Sequence, residues 1–350
     1  MAKRVRARGE DIRRFILDHT ERHPKDLSKV TAEHFGITRQ AVSKHLQRLR
    51  AEGAITETGN TRNRIYKLCA LVEWQQMYRI EPGLAEDQVW TNDIKRALGE
   101  LPENVTAIWH YGFTEMFNNA IDHSAGTTIY VRLVKTAAST EIVLMDDGVG
   151  IFKKIQTALN LLDERHAILE LAKGKLTTDP NHHSGEGIFF TSRVFDSFDI
   201  LSGGVFFTHE YGKAEDWIME GKAPASGTTV WMKLHNHTSR TIKKVFDQYS
   251  SGPDEYRFDK TIVPVNLARY GNDQLISRSQ AKRLLTRVEL FNVVVFDFKD
   301  VPTVGQAFAD EIFRVFARKH PEIELHAMHA NAEVKRMIER VKSANVDTKS

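Results

Sequence analysis

The sequence predicts an α/β multi-domain protein built from three modules. Three observations carry this expectation. Residues 1–70 show helix-period apolar positions and then two short extended runs. Residues 106–240 mix amphipathic helix and apolar strand patterns punctuated by glycine, and residues 255–345 alternate strand and helix patterns as a small α/β layer does. Residues 71–105 read as a connector, helical or irregular, broken at Pro82-Gly83 and followed by a helix over Gln88–Leu98. A chain of 350 residues, 41% hydrophobic, can bury two or three sizeable cores. The single cysteine, Cys69, excludes an intramolecular disulfide and a cysteine-rich zinc site. No apolar run is long enough to span a bilayer, and no apolar signal core follows the basic first residues. The expected location is cytoplasmic, with no membrane partner.

In the first module, Ile12, Phe15 and Ile16 fit a helix that stops near His23-Pro24. Leu27–Phe35 fits a second, ended by Gly36. Thr38 can cap a third over Arg39–Glu52, with Ala41, Val42, Leu46 and Leu49 on its apolar stripe and Gly53 as its stop. Ile55–Thr58 and Arg64–Leu68 then flank a turn at Gly59–Asn63. Residues 1–70 hold 16 Lys+Arg against 8 Asp+Glu, a net +8 in a chain of net +3, so the remainder carries −5. A basic module on a mildly acidic protein points to nucleic acid.

The stretch Phe35–Leu49 closely resembles the recognition region of bacterial winged helix-turn-helix regulators of the MarR and ArsR kind. The resemblance implies double-stranded DNA as partner, with the third helix in the major groove. Arg39, Gln40, Ser43 and Lys44 are then the base-facing candidates, and Arg48, Arg62 and Arg64 the phosphate-facing ones.

Four motifs follow in the central module. In Glu115-Met-Phe-Asn-Asn119-Ala-Ile-Asp122, the apolar residues recur at helical spacing, which sets Glu115, Asn119 and Asp122 on one face. A carboxylate beside a carboxamide can orient a water and ligate a hard cation, although in isolation this pattern also suits a solvated polar face. Ile142–Met145 reads as a buried strand ending at Asp146, after which Gly148 and Gly150 permit a sharp turn and close backbone approach. Gly185-Glu-Gly187 opens a helix over Ile188–Phe195, whose first N–H groups attract phosphate. Gly227-Thr228 turns into a strand. Between the second and third motifs, Phe152–Lys175 is mostly helical and Leu176–Ser184, with His182-His183, is polar and loop-like.

In this order and spacing, the four motifs resemble the nucleotide boxes of the GHKL ATPases, the superfamily of gyrase, heat-shock chaperones and the histidine-kinase ATPase domain. The resemblance implies an α+β two-layer sandwich that binds ATP with Mg²⁺. Asp146 would accept from the adenine amino group, Asn119 would hold the metal, and Glu115 would be the general base. Asp122, Gly148, Gly150, Gly185, Gly187 and Thr228 would complete the ATP site, with Leu176–Ser184 as its lid. The His-Glu-x-x-x-Pro context of sensor histidine kinases is not found, so a sensor kinase is not expected. Asn119–Ser124 instead looks like the anti-sigma-factor serine kinases.

In the third module, Thr261–Leu267 reads as an edge strand broken by Pro264, Gln280–Val288 as a helix, and the near-continuous apolar run Phe291–Phe298 as a buried strand. A helix over Val304–Arg318, a strand over Ile323–Met328 and a helix over Ala332–Val341 follow. Asp297–Gly305 resembles STAS-like domains, whose phosphorylatable serine is replaced here by Gly305, Gln306 and Ala307. That departure favours a protein-interaction role. The leading expectation is a bacterial DNA-binding regulator governed by ATP binding or slow hydrolysis. The runner-up is an anti-sigma-type protein kinase, the third reading is a nucleotide-binding scaffold without turnover, and all leave room for a homodimer.

Overall fold

The computed structural model describes residues 2–60, 63–176, 185–212, 216–220, 226–250, 258–268 and 274–343. Among them the chain is a mixed α/β protein with three sheets of two, seven and three strands. Helices α1 (Ala2–His19), α2 (Leu27–Phe35) and α3 (Arg39–Ala51) bury Ile12, Ile16, Leu27, Val42, Leu46 and Leu49 in a core of their own. The antiparallel pair β1 (Ile55–Thr58) and β2 (Ile65–Leu68) closes it. Gly36 ends α2 in the left-handed region at φ 61°, donating its N–H to Ala32 O, and Thr38 Oγ1 accepts from Ala41 N at 3.2 Å to start α3. This stop and this start, both legible in sequence, fix the turn between α2 and α3.

The seven-stranded sheet is antiparallel throughout. Its strands are β3 (Val72–Arg79), β4 (Thr128–Lys135), β5 (Ser139–Asp146), β6 (Ser197–Ser202), β7 (Val205–Glu210), β8 (Asp216–Glu220) and β9 (Thr228–His235), in spatial order β3-β4-β5-β9-β6-β7-β8. One expectation is corrected here. Residues 72–79 are neither helical nor irregular: they form β3, paired with β4 from Val72↔Lys135 to Arg79↔Thr128. The connector therefore contributes an edge strand, and after it helix α4 runs from Glu86–Val89 through a π segment, Trp90–Ile94, to Lys95–Leu98.

Alternation sets the layers. Ile129, Val131 and Leu133 of β4 and Ile142 and Leu144 of β5 are buried, while Arg132 and Met145 face outward. The buried row packs against α5 (Glu103–His123) through Phe113, Met116 and Phe117, with α6 (Ile151–Ala158), α7 (Glu164–Lys173) and α8 (Gly187–Val194) completing the helical layer. Each fully buried side chain of this kind contributes about 1.5–3 kcal/mol.

The third sheet is parallel, in the order β10 (Lys260–Pro264), β11 (Val293–Asp297), β12 (Glu324–Met328). The strand expected over Thr261–Leu267 stops at Pro264, after which Val265–Ala268 form a 3-10 turn; it is an edge strand, and the apolar run Val293–Phe296 is central, as the patterns predict. Helix α9 (Arg278–Leu285) starts at a capping box between Ser277 and Gln280. Helix α10 comprises Gln306–Asp310, a π segment Glu311–Phe316 and Ala317–Lys319, and α11 spans Ala332–Ser343. The cores of the seven- and three-stranded sheets are continuous from Val89 to Val341. Among the described residues, no helix is long and apolar enough to cross a membrane.

Candidate functional site

A cavity of about 260 Å³ opens between the helical layer and the strand ends of the large sheet where β5 ends and β9 begins. Its wall brings together Glu115 and Asn119 from α5, Asp146 from the end of β5, Gly185 and Gly187 at the start of α8, and Thr228 from the start of β9. Leu144, Ile200 and Val230 line it with apolar surface. Six of the sequence-derived site residues thus share one cavity, although they are spread over more than a hundred positions.

Asp146 is 5% exposed. Its Oδ1 accepts from Gly148 N at 2.9 Å and from Thr228 N at 3.2 Å, which ties the second motif to the fourth. Thr228 Oγ1 in turn accepts from Ile151 N at 3.0 Å. Burial pushes the Asp146 carboxyl above its ordinary value, against the hydrogen bonds from Gly148 and Thr228. Asp147, next in sequence, behaves oppositely. It accepts from the Thr127 hydroxyl, the backbone N–H of Thr128 and Thr127, and the Thr128 hydroxyl at 2.6–3.0 Å, which hold it well below the carboxylate range. Asp147 fastens the start of β4, while Asp146 faces the cavity.

The glycines are where the backbone packs too closely for a side chain. A Cβ on Gly148 would stand 2.1 Å from Ser124 O, and one on Gly227 (φ 79°) 2.0 Å from Asp146 O. Gly150 (φ 87°) abuts the Ser202 hydroxyl, and Gly185 (φ 73°) abuts the backbone of Leu176, whose N–H donates to Gly185 O at 3.0 Å. A Cβ on Gly187 would reach 2.0 Å from a Glu115 carboxylate oxygen, so Glu115 lies directly against the first turn of α8. Gly148 and Gly150 shape the loop but do not line the cavity. Asp122 does not line it either; its charge acts on Lys154.

A contrast between two glycines tests this packing. Gly227→Ala is expected to cost about 1–3 kcal/mol for the left-handed backbone alone, and more for the backbone clash. Gly36→Ala has the same φ sign and open space around it, so it should cost only about 1–2 kcal/mol. Thermal melts of the two variants, with Gly227→Ala melting lower, check it.

Sequence reasoning missed Asn118, Lys154 and Leu171 on the cavity wall. Lys154 carried a signal, being a cation one helical turn beyond Gly150. Its Nζ donates to His123 O at 2.8 Å, and burial pulls its pKa down. Leu171 carried none beyond helix periodicity.

On α3, Arg39, Gln40 and Lys44 are exposed and Ser43 is half-buried. Arg48 pairs with Glu52 at 2.7 Å, and Arg64 Nε pairs with Glu57 at 2.9 Å. Both of these arginines are therefore engaged within the module. Arg62 lies outside the described residues, as do 177–184, the greater part of the expected lid with His182 and His183.

No curated protein matches the chain. The family model of the STAS-like domain of unknown function (DUF4325) matches residues 280–335. The match takes in α9 from Gln280, β11, α10, β12 and the first turn of α11, so the C-terminal module resembles a STAS-like domain, as the Asp297–Gly305 stretch led one to expect.

Proposed function

We propose that the chain is an ATP-binding, DNA-binding regulatory protein, with a GHKL-type nucleotide module controlling a winged-helix module. The observation that carries the reading is the convergence of four separated motifs on one cavity with a buried carboxylate, Asp146, in its wall. The apolar part of the wall, Leu144, Ile200 and Val230, beside the anchored acceptor Asp146 suits a purine ring and its amino group. The start of α8 at Gly185–Gly187 suits phosphate, because free N–H groups and the helix dipole favour an anion. The Asn119 carboxamide, on the same wall as Glu115, is an oxygen donor of the kind Mg²⁺ accepts alongside phosphate and water. Bound there, the ion would neutralise charge on the phosphates. Glu115 would take a proton from an attacking water.

DNA recognition rests on the +8 charge of residues 1–70 and on the exposure of Arg39, Gln40 and Lys44. Replacing Arg39 or Gln40 is expected to relax sequence preference, whereas Arg48 and Arg64 must exchange Glu52 and Glu57 for phosphate and so contribute less. Affinity should fall about a hundredfold between ~50 and ~200 mM salt for about four neutralised phosphates. A salt titration of the full chain on genomic duplex fragments checks this; no shift at low salt on any fragment overturns the DNA reading. The STAS-like module is the expected dock for a protein partner.

Regulation means linkage. The factor by which Mg-ATP changes DNA affinity must equal the factor by which DNA changes ATP affinity, on a scale of about 5- to 150-fold. Titrating each ligand with and without the other tests it, and equal affinities throughout would leave two ligands that merely share a chain.

A further inference from the structure

The cavity wall at Leu171, Leu176 and Gly185 is held from behind by the module that matches the STAS-like family. Lys173, the last residue of α7, is 1% exposed. Its Nζ bonds the fully buried Glu170 carboxylate at 2.7 Å and crosses to two backbone carbonyls of the C-terminal module, Thr286 O at 2.7 Å and Arg283 O at 3.3 Å. Lys175 repeats the crossing: its Nζ donates to Leu290 O at 2.8 Å and stands 4.7 Å over the Phe291 ring. In the reverse direction, the Arg287 guanidinium donates to Lys175 O, and the Thr261 hydroxyl donates to Lys173 O at 2.7 Å. The grip thus begins one residue from Leu176 and two from Leu171, and most of its partners fall within residues 283–291.

The grip has slack on one side. Arg287 Nη1 faces Glu170 Oε2 at 3.7 Å, and neither atom has a hydrogen-bond partner among the described residues. Burying charges is costly, and an apolar contact would pack as well, so such a network is better suited to fixing register than to adding stability.

We propose that Lys173 is a positioning residue for the cavity, which makes the Leu171–Leu176 wall depend on residues 283–290 of the STAS-like module. What binds the nucleotide is then felt at 283–290, and what binds the STAS-like module is felt in the cavity, with reciprocity imposed by thermodynamics. The effect on ligand rests on the nucleotide reading above; the mechanical dependence of the wall does not.

The test uses the full chain. Lys173→Met alone leaves the Glu170 charge buried and risks unfolding, so the informative variant is Glu170→Gln/Lys173→Met, which removes one charge of each sign at similar volume and leaves Arg287 its bond to Lys175 O. It should keep a cooperative melt, show about tenfold faster amide exchange over residues 171–176 without ligand, and bind Mg-ATP about tenfold more weakly. In wild type, Mg-ATP should slow exchange over 283–290, and the double variant should lose that response. Lys175→Met, which leaves the buried pair intact, should move exchange over 171–176 in the same direction by a smaller factor and covers the case of a double variant that does not fold. Unchanged exchange over 171–176 in a folded variant overturns the proposal. If wild type binds no nucleotide, the functional reading falls, and ligand-free exchange alone decides this one.

Discussion

Asp146→Asn should weaken nucleotide binding strongly while leaving the fold intact. The carboxamide matches the carboxylate in shape, and its oxygen can still accept from Gly148 N and Thr228 N, the two bonds that hold the loop. Its other atom becomes an N–H donor facing an adenine amino group, which is also a donor. A buried donor left without an acceptor costs about 1–3 kcal/mol, and more when a charged acceptor has been lost. The expected loss is therefore about a hundredfold or more in affinity, and calorimetry with Mg-ATP reads it directly. The apo protein should move the other way. Because burial raises the Asp146 pKa, the carboxyl favours folding below the ordinary value of 3.8, and that contribution is lost as pH rises through the raised value. At pH 7 the ionised group is a burden on stability, so the Asn variant should melt at or above wild type. In wild type, ATP affinity should also fall as pH drops through that raised pKa, because protonation removes the acceptor. A variant that binds ATP as tightly as wild type would dismiss Asp146 as the base-recognition residue.

How far the sequence carried this reading depends on what each signal measures. The third module was legible in most of its elements, since Pro264 and the run Val293–Phe296 are local signals that burial reinforces, while the Ser277–Gln280 box that starts α9 before Gln280 went unread. β3 was not. Its inward residues Val72, Trp74 and Tyr78 alternate, but Gln76 breaks the row on an exposed edge strand whose partner, β4, begins only at Thr128. β6 and β7 carried an unused hairpin signal, Gly203-Gly204 with φ of 60° and 80° between alternating apolar residues. In the site, the order of the motifs was readable, yet the opposite behaviour of Asp146 and Asp147 was not. It arises from Thr127 and Thr128, which reach Asp147 only through the pairing of β4 with β5. The grip on Lys173 is likewise invisible in sequence, because its partners are backbone carbonyls more than a hundred residues away.

Glu115→Gln should separate binding from turnover. Glu115 is on the cavity wall, one helical turn before Asn119, with its carboxylate against Gly187 where phosphate is expected. Tyr111, one turn earlier, has its hydroxyl pKa raised by burial and by the charges of Glu115 and Glu186, so it stays a neutral phenol beside the carboxylate. Glutamine preserves the contact with Gly187, and ATP affinity should change by less than about threefold, the size of a lost surface interaction. It cannot take a proton from water, and general-base catalysis is worth about 10²–10⁴ in rate, so phosphate release should fall by that factor. Glu115→Ala should lose turnover as well, but it leaves a void beside Gly187, so only the Gln variant isolates the proton transfer. Binding and phosphate release measured on the same preparations decide the matter. A Gln variant that hydrolyses ATP at the wild-type rate removes Glu115 from the chemistry. Wild-type protein that transfers label to a protein instead of to water would make Glu115 the base for a hydroxyl nucleophile, and the kinase reading would replace the hydrolase one. Wild type that binds ATP but does neither would reduce the cavity to a ligand switch, with Glu115 only fixing the start of α8.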